Sequence, residues 1–321
     1  MSRVPTKDYF QDCAASTGFK VDVLEKVYRL LTILERIHRS AYLQQRLALK
    51  GGTVLHGVVF GFKRLSIDID FNYIGSLDRA ISLEERVKIR DLLVLLFEEL
   101  GYRVELTGWK YAEEQFDLRF VNSGGGPDRI KVEINYLERL PVLGTRQGRI
   151  SHPFSDLDPV EVLTLTREEL FAGKLRALVQ RGTARDLFDA HLISTDQERT
   201  DMVRLRATFL LHMAMVEIDG RAISLGAVRK IDEKGARDVL VPMLPRSAKV
   251  NLSEMMSGAE SLICPMLVLT DKGREFFDIF YGEGKIKGAG LFRGIDMEVD
   301  LSRHPALKWR LQQLREKGGP P

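Results

Sequence analysis

Ser66-Ile67-Asp68-Ile69-Asp70-Phe71 alternates polar and apolar residues without a break. Successive side chains of a β-strand point to opposite faces, so Ile67, Ile69 and Phe71 turn inward and Ser66, Asp68 and Asp70 share the other face. Same-face positions lie about 7 Å apart, and flexible carboxylates at that spacing can converge on divalent ions held roughly 3.5–4 Å apart. Oxygen-only ligation suits Mg²⁺ or Mn²⁺, with one or two carboxylates completed by substrate phosphates. An isolated Asp-x-Asp also reads more plainly, as the solvated acidic face of an amphipathic strand.

Upstream, Lys50-Gly51-Gly52-Thr53 leads into a short helix expected from Thr53 to Phe60 and stopped by Gly61. Glycines at a helix N-terminus leave backbone N–H groups for phosphate oxygens, and Thr53 offers a hydroxyl. By itself the turn is an ordinary helix N-cap. One short helix and one turn away from paired carboxylates, it becomes much more specific. Asp68 and Asp70 are therefore the candidate metal ligands, and Gly51, Gly52 and Thr53, with Ser66 on the carboxylates' face, the candidate phosphate contacts.

A third carboxylate is expected on a neighbouring strand. In Arg129-Ile130-Lys131-Val132-Glu133-Ile134-Asn135, Glu133 lies on the polar face and is the choice for a catalytic metal ligand. Asp117, in Phe116-Asp117-Leu118-Arg119-Phe120, remains the alternative. Either carboxylate also reads as half of a cross-strand ion pair with Arg119, Arg129 or Lys131.

Around these strands the pattern is mostly helical at first. A helix runs through Leu24, Val27, Leu31, Leu34 and Ile37 with Asp22 and Glu25 at capping-box spacing, and a second helical stretch ends in Leu47 and Leu49. Ser82 and Glu85 form another such box ahead of a helix stopped by Gly101. Strand-like runs follow at 102–109, 115–120 and 129–136, the last after the turn Ser123-Gly124-Gly125-Gly126-Pro127-Asp128. The fold class is α+β: a mixed-sheet core with helices over residues 1–150, joined to a mainly helical C-terminal lobe over 151–321. The boundary is expected between Arg149 and Pro159, and the terminal Gly-Gly-Pro-Pro is expected to fray.

In the C-terminal part, Thr166 and Glu169 have capping-box spacing and Gly182 ends the helix, so Lys174 and Arg181, seven residues apart, share one face beside Leu170, Phe171, Leu175 and Leu178. Such cations can reach a triphosphate. They also read as a snorkelling lysine and an arginine favoured by the helix dipole. Asp186 follows a capping Thr183 by three residues.

Composition excludes more than it selects. With 44% hydrophobic and 29% charged residues and a net charge of +3, the chain is an ordinary globular protein that tolerates a polyanionic partner without requiring one. No apolar run approaches the ~20 residues of a membrane span, and no apolar stretch marks the N-terminus as a leader; a cytoplasmic location is the expectation. Cys13 and Cys264 have no clustering and read as reduced, buried thiols. The six histidines show no metal-ligand spacing, and no Walker A, Gly-x-Ser-x-Gly or dinucleotide fingerprint occurs in its required context.

Leu49-Lys50-Gly51-Gly52-Thr53-Val54-Leu55 with Arg64-Leu65-Ser66-Ile67-Asp68-Ile69-Asp70-Phe71 resembles the first motif of AbiEii/AbiGii-type nucleotidyltransferases, a group that includes MenT-type toxins. Leu170 to Arg181 resembles the family's lysine-bearing helix, Arg185-Asp186-Leu187-Phe188-Asp189 its Arg-Asp-x-x-Asp motif, and His304 to Trp309 its C-terminal tail. The resemblance is strong over roughly residues 24 to 193, although the gap from Thr53 to Asp68 is long for polymerase beta-type enzymes. It implies a DNA polymerase beta-like nucleotidyltransferase fold and a toxin usually encoded beside a protein antitoxin. It further implies transfer of a nucleoside monophosphate from an NTP to an RNA acceptor, the tRNA 3′ end in known members, which would inhibit translation and growth. Carried over, Asp68 and Asp70 bind metal, Lys174 contacts the nucleotide and Asp186 completes the site. Transfer to a small molecule or a protein hydroxyl, and a non-catalytic nucleotide- or partner-binding module, are the competing readings.

Overall fold

The structure, a computed structural model, describes residues 4–110, 112–196, 199–297 and 299–318. The expected fraying end lies outside them from residue 319 onward. The chain divides into two compact units. One comprises the chain through Arg139 together with Thr145–Leu165 and Pro242–Lys249; the other comprises Leu140–Gly144, Thr166–Val241 and the chain from Val250 onward.

The first unit begins with α1 (Lys7–Thr17), α2 (Val21–Arg39) and the single turn α3 (Ala41–Gln44). Strand β1 (Leu47–Lys50) follows, then α4 (Gly51–Val54), which continues as a π-turn over Leu55–Val59, and β2 (Asp68–Tyr73). After α5 (Arg79–Glu99) come β3 (Arg103–Lys110), β4 (Glu113–Val121), β5 (Pro127–Asn135), β6 (Thr145–Ile150) and β7 (Val160–Leu165). They form one sheet in the order β3-β4-β5-β2-β1-β7-β6. The β2/β5 and β1/β7 pairs are parallel and the others antiparallel. The expected mixed sheet is thus present.

Alternation decides which face is core. Ile69 and Phe71 of β2, Ile130, Val132 and Ile134 of β5, and Phe116 and Leu118 of β4 are fully buried. Phe97 of α5 meets Phe116 edge-on with ring centroids 5.7 Å apart, and His38 of α2 lies against Phe71, so α2 and α5 cover this apolar face. Asp68, Asp70 and Glu133 occupy the other face and are half-buried.

Several local expectations fail for identifiable reasons. Leu47 and Leu49 belong to strand β1 rather than a helix; Leu47, Ala48 and Leu49 are all buried, and a short apolar run buried on both sides shows no period that separates strand from helix. None of the three capping boxes forms. Lys20 precedes α2 without a side-chain cap, while Glu25 instead pairs with Arg29 and accepts from the Ser123 amide. Asp78 caps α5 by accepting from the Ile81 amide at 3.0 Å, which leaves Ser82 inside the helix and Glu85 paired with Arg46. Glu169 accepts from the Val142 and Leu143 amides rather than closing a box with Thr166. Both cysteines are free, but Cys264 is exposed.

The second unit is built from α6 (Arg167–Arg181), α7 (Ala184–Ser194), α8 (Met202–Ala214), the short α9 (Glu233–Gly235), α10 (Leu252–Leu267), α11 (Asp271–Asp278) and α12 (Pro305–Glu316). Helix α6 packs on α7 and α8, and α7 packs on α10. Gly182, in the left-handed region at φ 57°, ends α6 as its sequence position requires. Among the described residues no single helix is long and apolar enough to cross a membrane.

Candidate active site

Strand register brings the carboxylates together. Within the parallel β2/β5 pair, Asp70 stands opposite Glu133 and Asp68 opposite Lys131. Neighbouring strands are about 4.8 Å apart, so Glu133 is the immediate neighbour of Asp70. Asp117 faces Lys131 from β4, one strand farther from β2. It is also buried and ion-paired with Arg129 at 2.6 Å. Of the two candidates, Glu133 is therefore the one that stands beside Asp70.

Lys131 is also part of this face. Its Nζ lies 2.6 Å from Glu133 Oε1. Partial burial works against its charged form, but the hydrogen bond to Glu133 and the fields of Glu133, Asp68 and Asp70 outweigh that and raise its pKa above the ordinary lysine value.

The glycine turn is shaped around the same carboxylates. Gly51 adopts φ +79°, and a Cβ there would stand 2.2 Å from Asp70 Oδ2. At Gly52 a Cβ would meet Ser66 Oγ at 2.7 Å. Two bare backbone positions thus let the turn approach Asp70 and Ser66 directly. The first turn of α4 leaves the Gly51, Gly52 and Thr53 amides without intrahelical acceptors. The Thr53 hydroxyl is engaged elsewhere, donating to the Asp68 carbonyl at 2.7 Å and so tying α4 to β2. Buried Arg64 likewise donates to the Leu65 carbonyl at 2.9 Å, and the Leu65 amide donates to the Met243 carbonyl at 2.8 Å.

In the second unit, α6 and α7 share a network. Lys174 Nζ lies 2.9 Å from Asp189 Oδ2 and 3.8 Å from Asp186 Oδ1. Arg181 holds Asp186 through two hydrogen bonds of 2.6 and 2.9 Å, and the Thr183 hydroxyl, which also caps α7, donates to Asp186 at 2.6 Å. Burial alone would raise the Asp186 pKa, but the Arg181 hydrogen bonds, the Lys174 and Arg181 charges and Thr183 hold it below the usual carboxylate value. Asp189, fully buried, is the member that residue-by-residue reading did not single out. Its signal was the three-residue spacing from Asp186, which puts both carboxylates on one side of α7.

The oxygen-only donor set on β2 and β5 fits a hard divalent cation. Among the described residues, however, no three acidic, imidazole or thiol side chains gather as they stand into a metal-binding group. Asp68 and Asp70 would supply two ligands, and Glu133, whose Oε1 accepts from Lys131, would be the third.

The structure resembles MenT4, nucleotidyltransferase toxin Rv2826c from Mycobacterium tuberculosis H37Rv, with a TM-score of 0.63 at 16% identity over 97% of this chain and 99% of that one. JHP933 from Helicobacter pylori gives a TM-score of 0.46 at 16% identity over 78% of this chain and 93% of that one. A comparison with curated proteins finds no match. The family profile described as nucleotidyl transferase AbiEii toxin, Type IV TA system, matches residues 32–260. A fold shared with MenT4 and a profile match spanning both the β2 carboxylates and the α6/α7 network make this chain a nucleotidyltransferase belonging to the AbiEii toxin family.

Proposed function

We propose that the enzyme transfers a nucleoside monophosphate from an NTP to the 3′ end of tRNA, and that this underlies its action as a toxin opposed by a protein antitoxin. The observation that carries the chemistry is the register of Asp70 against Glu133, beside a glycine turn whose bare backbone comes close to Asp70 and Ser66. The tRNA acceptor rests on the family resemblance read in the sequence.

In this reading Asp68 and Asp70, joined by Glu133, hold Mg²⁺ or Mn²⁺. A bound divalent ion supplies Lewis-acid stabilisation of the charge that develops on the entering and departing oxygens. The chain's own residues do the positioning. The Gly51 and Gly52 amides and the Ser66 hydroxyl donate to triphosphate oxygens, and the role of Lys174 as a nucleotide contact rests on the family resemblance read in the sequence. The oxygen of the tRNA 3′-hydroxyl bonds to the α-phosphorus as the bond toward the β-phosphate breaks; the hydroxyl proton passes to water and pyrophosphate leaves. Asp186 holds Arg181, and Asp189 fixes the Lys174 ammonium.

The test is incubation of the full chain with bulk tRNA, Mg²⁺ and each α-labelled NTP in turn, using intact tRNA and tRNA whose 3′ diol has been cleaved by periodate. Label is expected on intact tRNA alone. Equal labelling of oxidised tRNA, or none with any NTP, would remove the tRNA 3′ end as the acceptor.

A further inference from the structure

We propose that Lys131 is a built-in counter-cation of the acidic site: its ammonium holds Glu133 until a divalent ion displaces it, and this competition sets the affinity for metal. The inference rests on the proposed function, because it assigns a role toward the cation that Asp68, Asp70 and Glu133 would hold.

Three observations carry it. First, Lys131 and Glu133 are two residues apart on β5 and therefore on one face, with Nζ 2.6 Å from Oε1. Second, Lys131 is the register partner of Asp68 while Glu133 is that of Asp70, so Lys131 shares its sheet face with all three carboxylates and feels the charges of Asp68 and Asp70 as well as Glu133. Third, the Lys131 and Glu133 side chains are each 35% exposed, so an ion from solvent can reach the pair.

The physical consequence follows from charge. Three carboxylates on adjacent rows of one sheet face repel one another, and a lysine there relieves that repulsion without any bound ion. A divalent cation entering the same face meets a resident positive charge and must take Glu133 from it. A lysine suits such a role because its ammonium is a compact point charge on a flexible four-carbon stem. Once released, it can swing away without moving the strand. Lys131 is accordingly a positioning residue that acts through Glu133.

The deciding experiment is calorimetric titration of Mn²⁺ alone into the full chain, comparing wild type, Lys131→Met and Lys131→Arg, with thermal melts in metal-free buffer and in Mn²⁺. Lys131→Met is expected to bind Mn²⁺ about five- to tenfold more tightly, the scale of one partly exposed charged contact. It is also expected to melt lower than wild type without metal and to gain more from Mn²⁺. Lys131→Arg, which keeps the charge, is expected to return close to wild-type affinity. Lys131→Gln repeats the comparison if the methionine variant does not fold. Equal or weaker Mn²⁺ binding by the uncharged variants overturns the role of Lys131 and leaves the metal site standing. Absence of Mn²⁺ binding in every protein, wild type included, would instead remove the metal-site reading and this inference with it.

Discussion

At Gly51 a backbone φ of +79° coincides with an Asp70 carboxylate oxygen 2.2 Å from where a Cβ would stand. Alanine there has to adopt a left-handed conformation, which costs roughly 1–2 kcal/mol, and it also pushes the Asp70 carboxylate away. A displacement of about 1 Å at a reacting group can cost on the order of 100-fold in rate. Gly51→Ala is therefore expected to lower nucleotidyl transfer about 100-fold with only a modest fall in melting temperature. Wild-type rates in folded Gly51→Ala protein would show that the close approach of the turn to Asp70 has no catalytic consequence. At this scale the sheet face that the candidate residues share was largely legible. Strand alternation selected Asp68, Asp70 and Glu133, and the paired glycines marked the turn beside them. The partner of Asp70 could not be read from sequence, because β5 pairs with β2 across about 60 residues and strand order is a non-local property. The bond made by the Thr53 hydroxyl was equally hidden, since nothing local shows that the Asp68 carbonyl lies within its reach.

Helices α6 and α7 act as a pair through Lys174, Asp186, Asp189 and Arg181. Sequence alone suggests a snorkelling Lys174 with its ammonium extended toward phosphate, yet the side chain is mostly buried and ion-paired with the fully buried Asp189. Removing one partner of a buried pair costs about 3–5 kcal/mol, whereas replacing both with apolar residues is often close to neutral. Lys174→Ala is thus expected to destabilise the protein, and Lys174→Met combined with Asp189→Leu to recover most of that loss. Neither variant should regain nucleotide affinity, because a lost charge-assisted phosphate contact costs roughly 10- to 150-fold. Titration of a non-hydrolysable triphosphate with Mg²⁺, below each variant's melting temperature, separates the two effects. Wild-type affinity in the double variant would make the Lys174–Asp189 pair purely structural. Elements with a long period, such as α2 and α5, were legible as helices, and Gly101 and Gly182 marked real ends. Capping boxes were not, because Glu25, Glu85 and Glu169 each found a more distant partner. Strand β1 was hidden by its uniform burial.

Over the whole molecule, the sheet draws its strands from Leu47 to Leu165, and the segment Pro242–Lys249 returns to the same unit. There the Arg246 amide donates to the Gly18 carbonyl at 2.9 Å and the Met243 carbonyl accepts from Leu65. No local pattern announces such a return, so the composition of the units emerges only when the chain is folded. The α+β class and the family were readable because the Gly-Gly-Thr turn, the Asp-x-Asp strand and the lysine-bearing helix each have a local signature. These features converge on one assertion: that the β2 carboxylates perform metal-dependent nucleotidyl transfer. Asp70 stands half-buried on the polar face of its strand, so Asp70→Asn should fold as the wild type does. The most direct measurement is transfer from the α-labelled NTP that the wild type uses, run side by side for wild type and Asp70→Asn, with Mg²⁺ and with chelator, alongside thermal melts. Transfer by wild type in Mg²⁺ alone, and none by a folded Asp70→Asn, is the expected result; full transfer by folded Asp70→Asn, or by wild type in chelator, would contradict it.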